Sequence, residues 1–172
     1  GEDKETFYFN RAFKKGKEGD YSGAIADFSR SIEINPRDAE AYTNRAIFKR
    51  KSGDSYGAIA DYNKVIEINP RYTKAFHNRG VAKEILKDYK GALKDYEKVT
   101  SIDPDRYLAW SGIGNMKTQL GDHYGAISAF NKVIEINPRY AKTYYNRGNA
   151  KSKLKDYSGA ISDYTKAIEI NP

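Results

Sequence analysis

Cysteine is absent from this sequence, and no Asn stands two residues before a Ser or Thr. Neither disulfides nor N-linked glycans therefore support the fold. The missing thiols fit a reducing compartment, and a cytoplasmic location is the expectation. No apolar run is long enough to span a bilayer, and the opening GEDKETF is charged, unlike a secretory leader. Residues 1–4 read as a tail or a cloning scar. Charge of a single sign is missing too: 30 basic residues face 23 acidic ones, for a net charge of +7. That mixture describes a solvated helical surface with a mild preference for acidic partners. Catalytic groupings are equally scarce. The two histidines, His77 and His123, have no metal-ligand spacing, and neither G-x-x-x-x-G-K-[ST] nor G-x-G-x-x-G occurs. The sequence points to a non-enzyme with no cofactor and no bound metal.

What is present is a repeat. INP recurs at 34–36, 68–70, 136–138 and 170–172, with IDP at 102–104, always at an interval of 34 residues. Placing Pro at the thirty-second position gives units 5–38, 39–72, 73–106, 107–140 and 141–172. Each unit holds two apolar-periodic halves. In the second half of one unit, Ala58, Ile59, Tyr62, Val65 and Ile66 share one helical face. The first halves pair an aromatic with a small residue four later: Tyr8/Ala12, Tyr42/Ala46, Phe76/Gly80, Trp110/Gly114 and Tyr144/Gly148. The small residue admits a second helix closely, against Ala24, Ala58, Ala92, Ala126 and Ala160. Asp20, Asp54, Asp88, Asp122 and Asp156 stand as helix N-caps between the halves. Pro36, Pro70, Pro104 and Pro138 end the units, because Pro cannot continue a helix. The expected fold is all-α, a solenoid of antiparallel helix hairpins forming a single array over 5–172.

From residue 5 onward the pattern resembles the tetratricopeptide repeat. The resemblance rests on the aromatic at the fourth place, Gly or Ala at the eighth, Ala at the twentieth, Phe or Tyr at the twenty-fourth and Pro at the thirty-second. It implies a right-handed superhelix that binds a protein or peptide segment in a concave groove. Two places depart from the family pattern. The seventh is Arg in four units where an apolar residue is usual, and the eleventh is Lys throughout (Lys15, Lys49, Lys83, Lys117, Lys151) where an aromatic is usual. Long stems pack well enough to keep the fold. The tyrosines at the fourth, seventeenth and twenty-fourth places are assigned to packing between helices, with the eleventh-place lysines laid over those rings, which disfavours nucleic acid as a partner.

The fourth unit reads WSGIG where the others read YFNRA, YTNRA, FHNRG and YYNRG. Ile113 replaces the Arg found at 11, 45, 79 and 147. In the same unit Ala129 replaces the Asp found at 27, 61, 95 and 163. Joint loss within one unit predicts structural ion pairs inside each hairpin: Arg11–Asp27, Arg45–Asp61, Arg79–Asp95 and Arg147–Asp163. The neighbouring Asn is read differently. By the resemblance, the second, fifth, sixth, ninth, twelfth and thirteenth places face the groove, and glycosyltransferase relatives of the family use an asparagine ladder there. Asn10, Asn44, Asn78 and Asn146 would form such a ladder, interrupted at Gly112, holding a peptide backbone through donor and acceptor alike. Phe9, Phe13 and Ile47 with Lys17, Arg50 and Lys51 imply an apolar anchor flanked by acidic residues in the ligand. Lys74 and His77 lie on the same lines. Tyr145, Asn115, Asn149, Gln119 and Lys153 make the far half more polar. A chaperone-type carboxylate clamp is rejected, since only Asn44 and Lys74 match it. A second reading is end-to-end self-association through Tyr164, Ala167 and Ile168, since repeat arrays need a polar cap to stay soluble.

Overall fold

A computed structural model describes residues 2–172, and among them are ten α-helices. They are α1 (Lys4–Lys17), α2 (Tyr21–Ile34), α3 (Ala39–Lys51), α4 (Ser55–Ile68) and α5 (Thr73–Ile85), then α6 (Tyr89–Ile102), α7 (Tyr107–Gln119), α8 (His123–Ile136), α9 (Ala141–Lys153) and α10 (Tyr157–Ile170). The chain divides into two compact units, Gly1–Lys87 and Asp88–Pro172, each holding five of these helices. None of the described helices is long and apolar enough to cross a membrane.

Local chemistry sets the helix boundaries. The side chains of Asp20, Asp54, Asp88, Asp122 and Asp156 accept hydrogen bonds from the backbone N–H of Gly23, Gly57, Gly91, Gly125 and Gly159, at 2.8–3.0 Å. Each bond satisfies one of the helix's orphan N–H groups, worth about 1 kcal/mol per cap. The turn before each cap needs a left-handed residue. Gly19, Gly53 and Gly121 supply it at φ 87°, 93° and 82°, while Lys87 and Lys155 take the same conformation at 62° and 65°. The second helix of each pair stops at Ile before Asn-Pro or Asp-Pro, as the missing N–H of Pro requires.

In the first unit, α1 to α3 enclose a core of Ala12, Ala24, Phe28, Ile32, Ala41 and Phe48, with Phe28 and Phe48 stacked at 6.0 Å. Ala46, Ala58, Tyr62, Val65 and Ala75 continue it toward α5. In the second unit Tyr96, Val99, Ile113, Met116, Phe130 and Val133 are buried. The eighth-place small residue works as expected from its size. A Cβ on Gly148 would meet the Tyr164 ring at 2.7 Å, and one on Gly114 would collide with the Phe130 ring. Fourth-place aromatics also tie consecutive hairpins together: Trp110 Nε1 donates to the Pro104 carbonyl and the Tyr144 hydroxyl to that of Pro138, at 2.7 and 2.9 Å.

Candidate functional site

The Arg and Asp of a hairpin meet across it. Arg11 donates to Asp27 through Nε and Nη2 at 2.7 and 2.9 Å, Arg45 to Asp61 at 2.9 and 2.7 Å, and Arg147 to Asp163 at 2.9 and 2.6 Å. The paired forks are the strong geometry for such contacts. At 15, 49 and 151 the eleventh-place lysine turns to the Asp and not to a ring. Lys15, Lys49 and Lys151 reach the same carboxylates at 2.9, 3.1 and 3.0 Å. The cation over the fourth-place aromatic is instead the Arg three residues on: Arg45 over Tyr42, Arg79 over Phe76 and Arg147 over Tyr144, at 5.5–5.7 Å. Position explains both findings, since the seventh and eleventh places are one turn apart and share the Asp.

The electrostatics follow. Hydrogen bonds from Arg11 hold the Asp27 carboxyl far below its usual range against the opposing effect of burial, with Lys15 and Arg30 adding to the pull. Burial works to raise Asp163, yet hydrogen bonds from Arg147 and Lys151 carry it below the ordinary carboxylate value. In the fourth hairpin Ile113 and Ala129 are both buried with no charge to satisfy. The Arg also reaches backward: its Nη1 donates to Ser29 from Arg45, to Asn63 from Arg79 and to Asn131 from Arg147, at 3.0, 2.8 and 2.8 Å. One guanidinium thus closes its own hairpin and joins the preceding one.

The asparagines differ in their surroundings. Asn10 donates its amide to Glu2 at 2.7 Å, Asn44 to the Glu40 carbonyl of its own helix at 3.0 Å, and Asn146 to Asn115 at 3.2 Å. These bonds engage the amide nitrogens and leave the Oδ1 oxygens as acceptors. Gly112 is buried, and a Cβ there would meet the Tyr96 ring at 2.8 Å, so packing explains the break in the series.

Beside Asn44 a cavity of about 410 Å³ is lined by Phe13, Ala39, Glu40, Thr43, Asn44, Asn69, Tyr72 and Lys74. It gathers three predicted groove residues, Phe13, Asn44 and Lys74, from α1, α3 and α5. Phe9 is directed elsewhere, packing edge-on against buried Phe28 at 5.4 Å. Lys17 sits over the exposed Phe13 ring at 4.6 Å, while Lys51 lies near Phe48 and Tyr21. Half-buried Arg50 leaves its Nε without a hydrogen bond, as does the fully buried Tyr62 hydroxyl. Burial pushes that phenol up to about 12, with the Arg50 cation opposing the rise. Ile47 and His77 are half-buried.

In the second unit the Tyr164 hydroxyl donates to Asn149 at 2.5 Å, and Tyr145 stands exposed with its ring 5.8 Å from that of Tyr164. Tyr145, Tyr164, Ala167 and Ile168 join Ala141, Lys142 and Asn171 around an apolar cavity of about 530 Å³. Lys153 and Gln119 are exposed.

Sequence reasoning did not single out Ala39, Glu40, Thr43, Asn69 and Tyr72 in the first cavity, although Glu40 and Thr43 hold the second and fifth places expected to face the groove. Tyr72 could have been found by position. Asp38 caps α3, accepting from the N–H of Glu40 and Ala41, but Tyr72 holds the same place before α5 with no side-chain cap bond. A ring standing in a capping position is free to line a cavity.

Known proteins match this arrangement. Tetratricopeptide repeat profiles match residues 28–60, 73–106 and 141–172, and a TPR repeat profile matches 114–155. No curated protein sequence matches the chain. Among solved structures, MamA of Desulfovibrio magneticus RS-1 is 22% identical with a TM-score of 0.93, covering 98% of this chain and 96% of its own. YrrB, described as a TPR protein with an unusual peptide-binding site, is 22% identical with a TM-score of 0.83, over 96% of this chain and 85% of its own. PilF of Pseudomonas aeruginosa is 18% identical with a TM-score of 0.82, over 98% and 77%. At these identities the likeness is one of fold. With four profile matches spread along the chain and ten helices among the described residues arranged as hairpin repeats, the chain is a member of the tetratricopeptide repeat family.

Proposed function

We propose that residues 5–172 act as one non-catalytic interaction array, and that its first helices hold an extended peptide or protein segment. The observation that carries this is the 410 Å³ cavity beside Asn44. Phe13 and Tyr72 offer it apolar walls, Lys74 a cation and Asn44 an acceptor oxygen. An apolar anchor in the ligand fills the cavity, and flanking acidic residues meet Lys74, Lys17 and Arg50. Asn10, Asn44 and Asn78 act as the ladder through their Oδ1 oxygens, accepting from backbone N–H groups of the ligand whatever its side chains.

The test is a peptide library displayed against the chain, compared with Asn10→Ala/Asn44→Ala/Asn78→Ala and, separately, Phe13→Ala/Tyr72→Ala. Loss across unrelated peptides in the first variant, and loss of apolar-anchored peptides in the second, is the expected result. Equal binding by the parent and both variants would overturn the reading.

A further inference from the structure

The cavity beside Asn44 is polarised, and part of its polarity comes from two asparagines whose orientations are set by backbone groups. Asn44 donates its amide to the Glu40 carbonyl at 3.0 Å, so its Oδ1 is what remains for a ligand. Asn69 is turned the other way. Its Oδ1 accepts from the Arg71 N–H at 3.2 Å, which leaves Nδ2 as a donor. The equivalent Asn35 also accepts from the N–H two residues on, at 3.3 Å, but its Nδ2 is held by the Glu5 carboxylate at 2.9 Å. In the second unit Ala39 stands at the place of Glu5 and brings no carboxylate to Asn69.

Charged groups repeat that division. Glu40 and Lys74 hold the second place of successive units, on α3 and α5, and both are exposed residues lining the cavity. Among the described residues neither has an ion-pair partner. Acceptors thus gather on α3, where Glu40 adds a carboxylate to the Asn44 oxygen. Donors gather at the entry to α5, where Lys74 adds an ammonium to the Asn69 amide. The same cavity has apolar walls in Phe13 and Tyr72. A ligand carrying charge of one sign would satisfy one end and be repelled at the other.

We propose that this cavity selects a segment in which an apolar anchor stands between a basic residue and an acidic one, and that the order of the two charges sets the direction in which the segment lies. The Lys or Arg of the segment meets Glu40 and the Asn44 oxygen. Its Asp or Glu meets Lys74 and the Asn69 amide. The selection rests on the groove proposed above: Lys74 takes the acidic flank there, and Glu40 adds the opposite requirement. It is a selection of charge order and not of net charge. Because the chain carries +7, a general attraction for anions would favour acidic segments whatever their order. Exposed pairs contribute little singly, yet reversing the order exchanges two attractions for two repulsions.

The test compares two peptides of identical composition. A library with Phe fixed at the centre and Asp, Lys or Ser at the neighbouring positions on both sides is panned against the chain. The selected peptide is then synthesised beside a twin in which Lys and Asp are exchanged. Fluorescence anisotropy should show the parent binding the selected peptide about fivefold or more tightly than the twin, with the gap narrowing as salt is raised. Glu40→Lys/Lys74→Glu leaves the net charge at +7, alters two exposed positions and should reverse the preference, with circular dichroism checking the fold. Glu40→Gln alone should shrink the gap without reversing it. Selection of acidic residues on both sides, or a preference unchanged in these variants, would overturn the charge order and leave the groove standing. A parent that binds no library member would overturn the groove and this proposal with it.

Discussion

Replacing Arg45 and Asp61 singly and together measures what the seventh-place Arg contributes. Asp61 is almost wholly buried and accepts two Arg45 bonds at 2.9 and 2.7 Å, with Lys49 at 3.1 Å. Removing one partner of a buried pair costs about 3–5 kcal/mol, because the other charge is left uncompensated. Lys49 keeps part of the compensation in Arg45→Ile, and the guanidinium also leaves Ser29, so about 2–4 kcal/mol is expected. Asp61→Ala strands two cations, but both are partly exposed and regain water, which lowers the loss to about 1–3 kcal/mol. The double variant Arg45→Ile/Asp61→Ala recreates the fourth hairpin, where buried Ile113 faces buried Ala129. It should lie within about 1 kcal/mol of the worse single variant, giving a coupling energy of about 1–3 kcal/mol. Urea unfolding followed by circular dichroism provides the four free energies, compared at equal m-values. Strictly additive losses, with coupling below about 0.5 kcal/mol, would refute the shared-carboxylate argument.

Four other expectations follow from the same geometry. Asp27 and Asp163 have folded pKa values below their unfolded ones, so the unfolded chain binds protons first as pH falls. Stability should be full above about pH 5 and fall progressively below the ordinary carboxylate range, and Asp27→Asn should flatten that slope in acid titrations monitored by circular dichroism. Lys155, left-handed at φ 65°, should be relieved by Lys155→Gly, raising the free energy of unfolding by up to about 1 kcal/mol, whereas Gly121→Ala at φ 82° should lower it by about the same amount. Gly114→Ala drives a methyl into the buried Phe130 ring and should cost about 1–3 kcal/mol in the same urea assay. Mixed-sequence oligonucleotides should show no salt-dependent binding, and a steep salt slope in fluorescence anisotropy would contradict the assignment of the aromatics to packing.

The hairpin repeat was legible because its causes are local and recur every 34 residues. Cap, small residue, core aromatic and Pro each act within a few residues of themselves. The joint absence of Arg and Asp from the fourth unit located a contact across 16 residues, since a charge and its partner are lost together. The eleventh Lys escaped because Lys117 persists in the unit that lacks the Asp; its stem lies beside Gly125. Phe9 was misplaced because a fifth-place aromatic can face outward or reach the neighbouring Phe28, and that choice depends on packing. The asparagine pattern gave the positions but not the orientation. Glu2, Glu40 and Asn115 draw the amide nitrogens inward, and none of those partners belongs to the repeat pattern.

The central claim is that the first-helix face reads a backbone through acceptor oxygens beside an apolar cavity. It is tested most directly by isothermal titration of one library-selected peptide against the parent and Asn44→Asp. Asp keeps an acceptor at that place, removes the amide that the Glu40 carbonyl already holds, and adds a negative charge, so the peptide compared is a neutral one. The account expects affinity for a neutral peptide to persist within about threefold in Asn44→Asp and to fall at least tenfold in Asn44→Ala. Loss in Asn44→Asp equal to that in Asn44→Ala would mean that the amide, and not the carbonyl oxygen, meets the ligand.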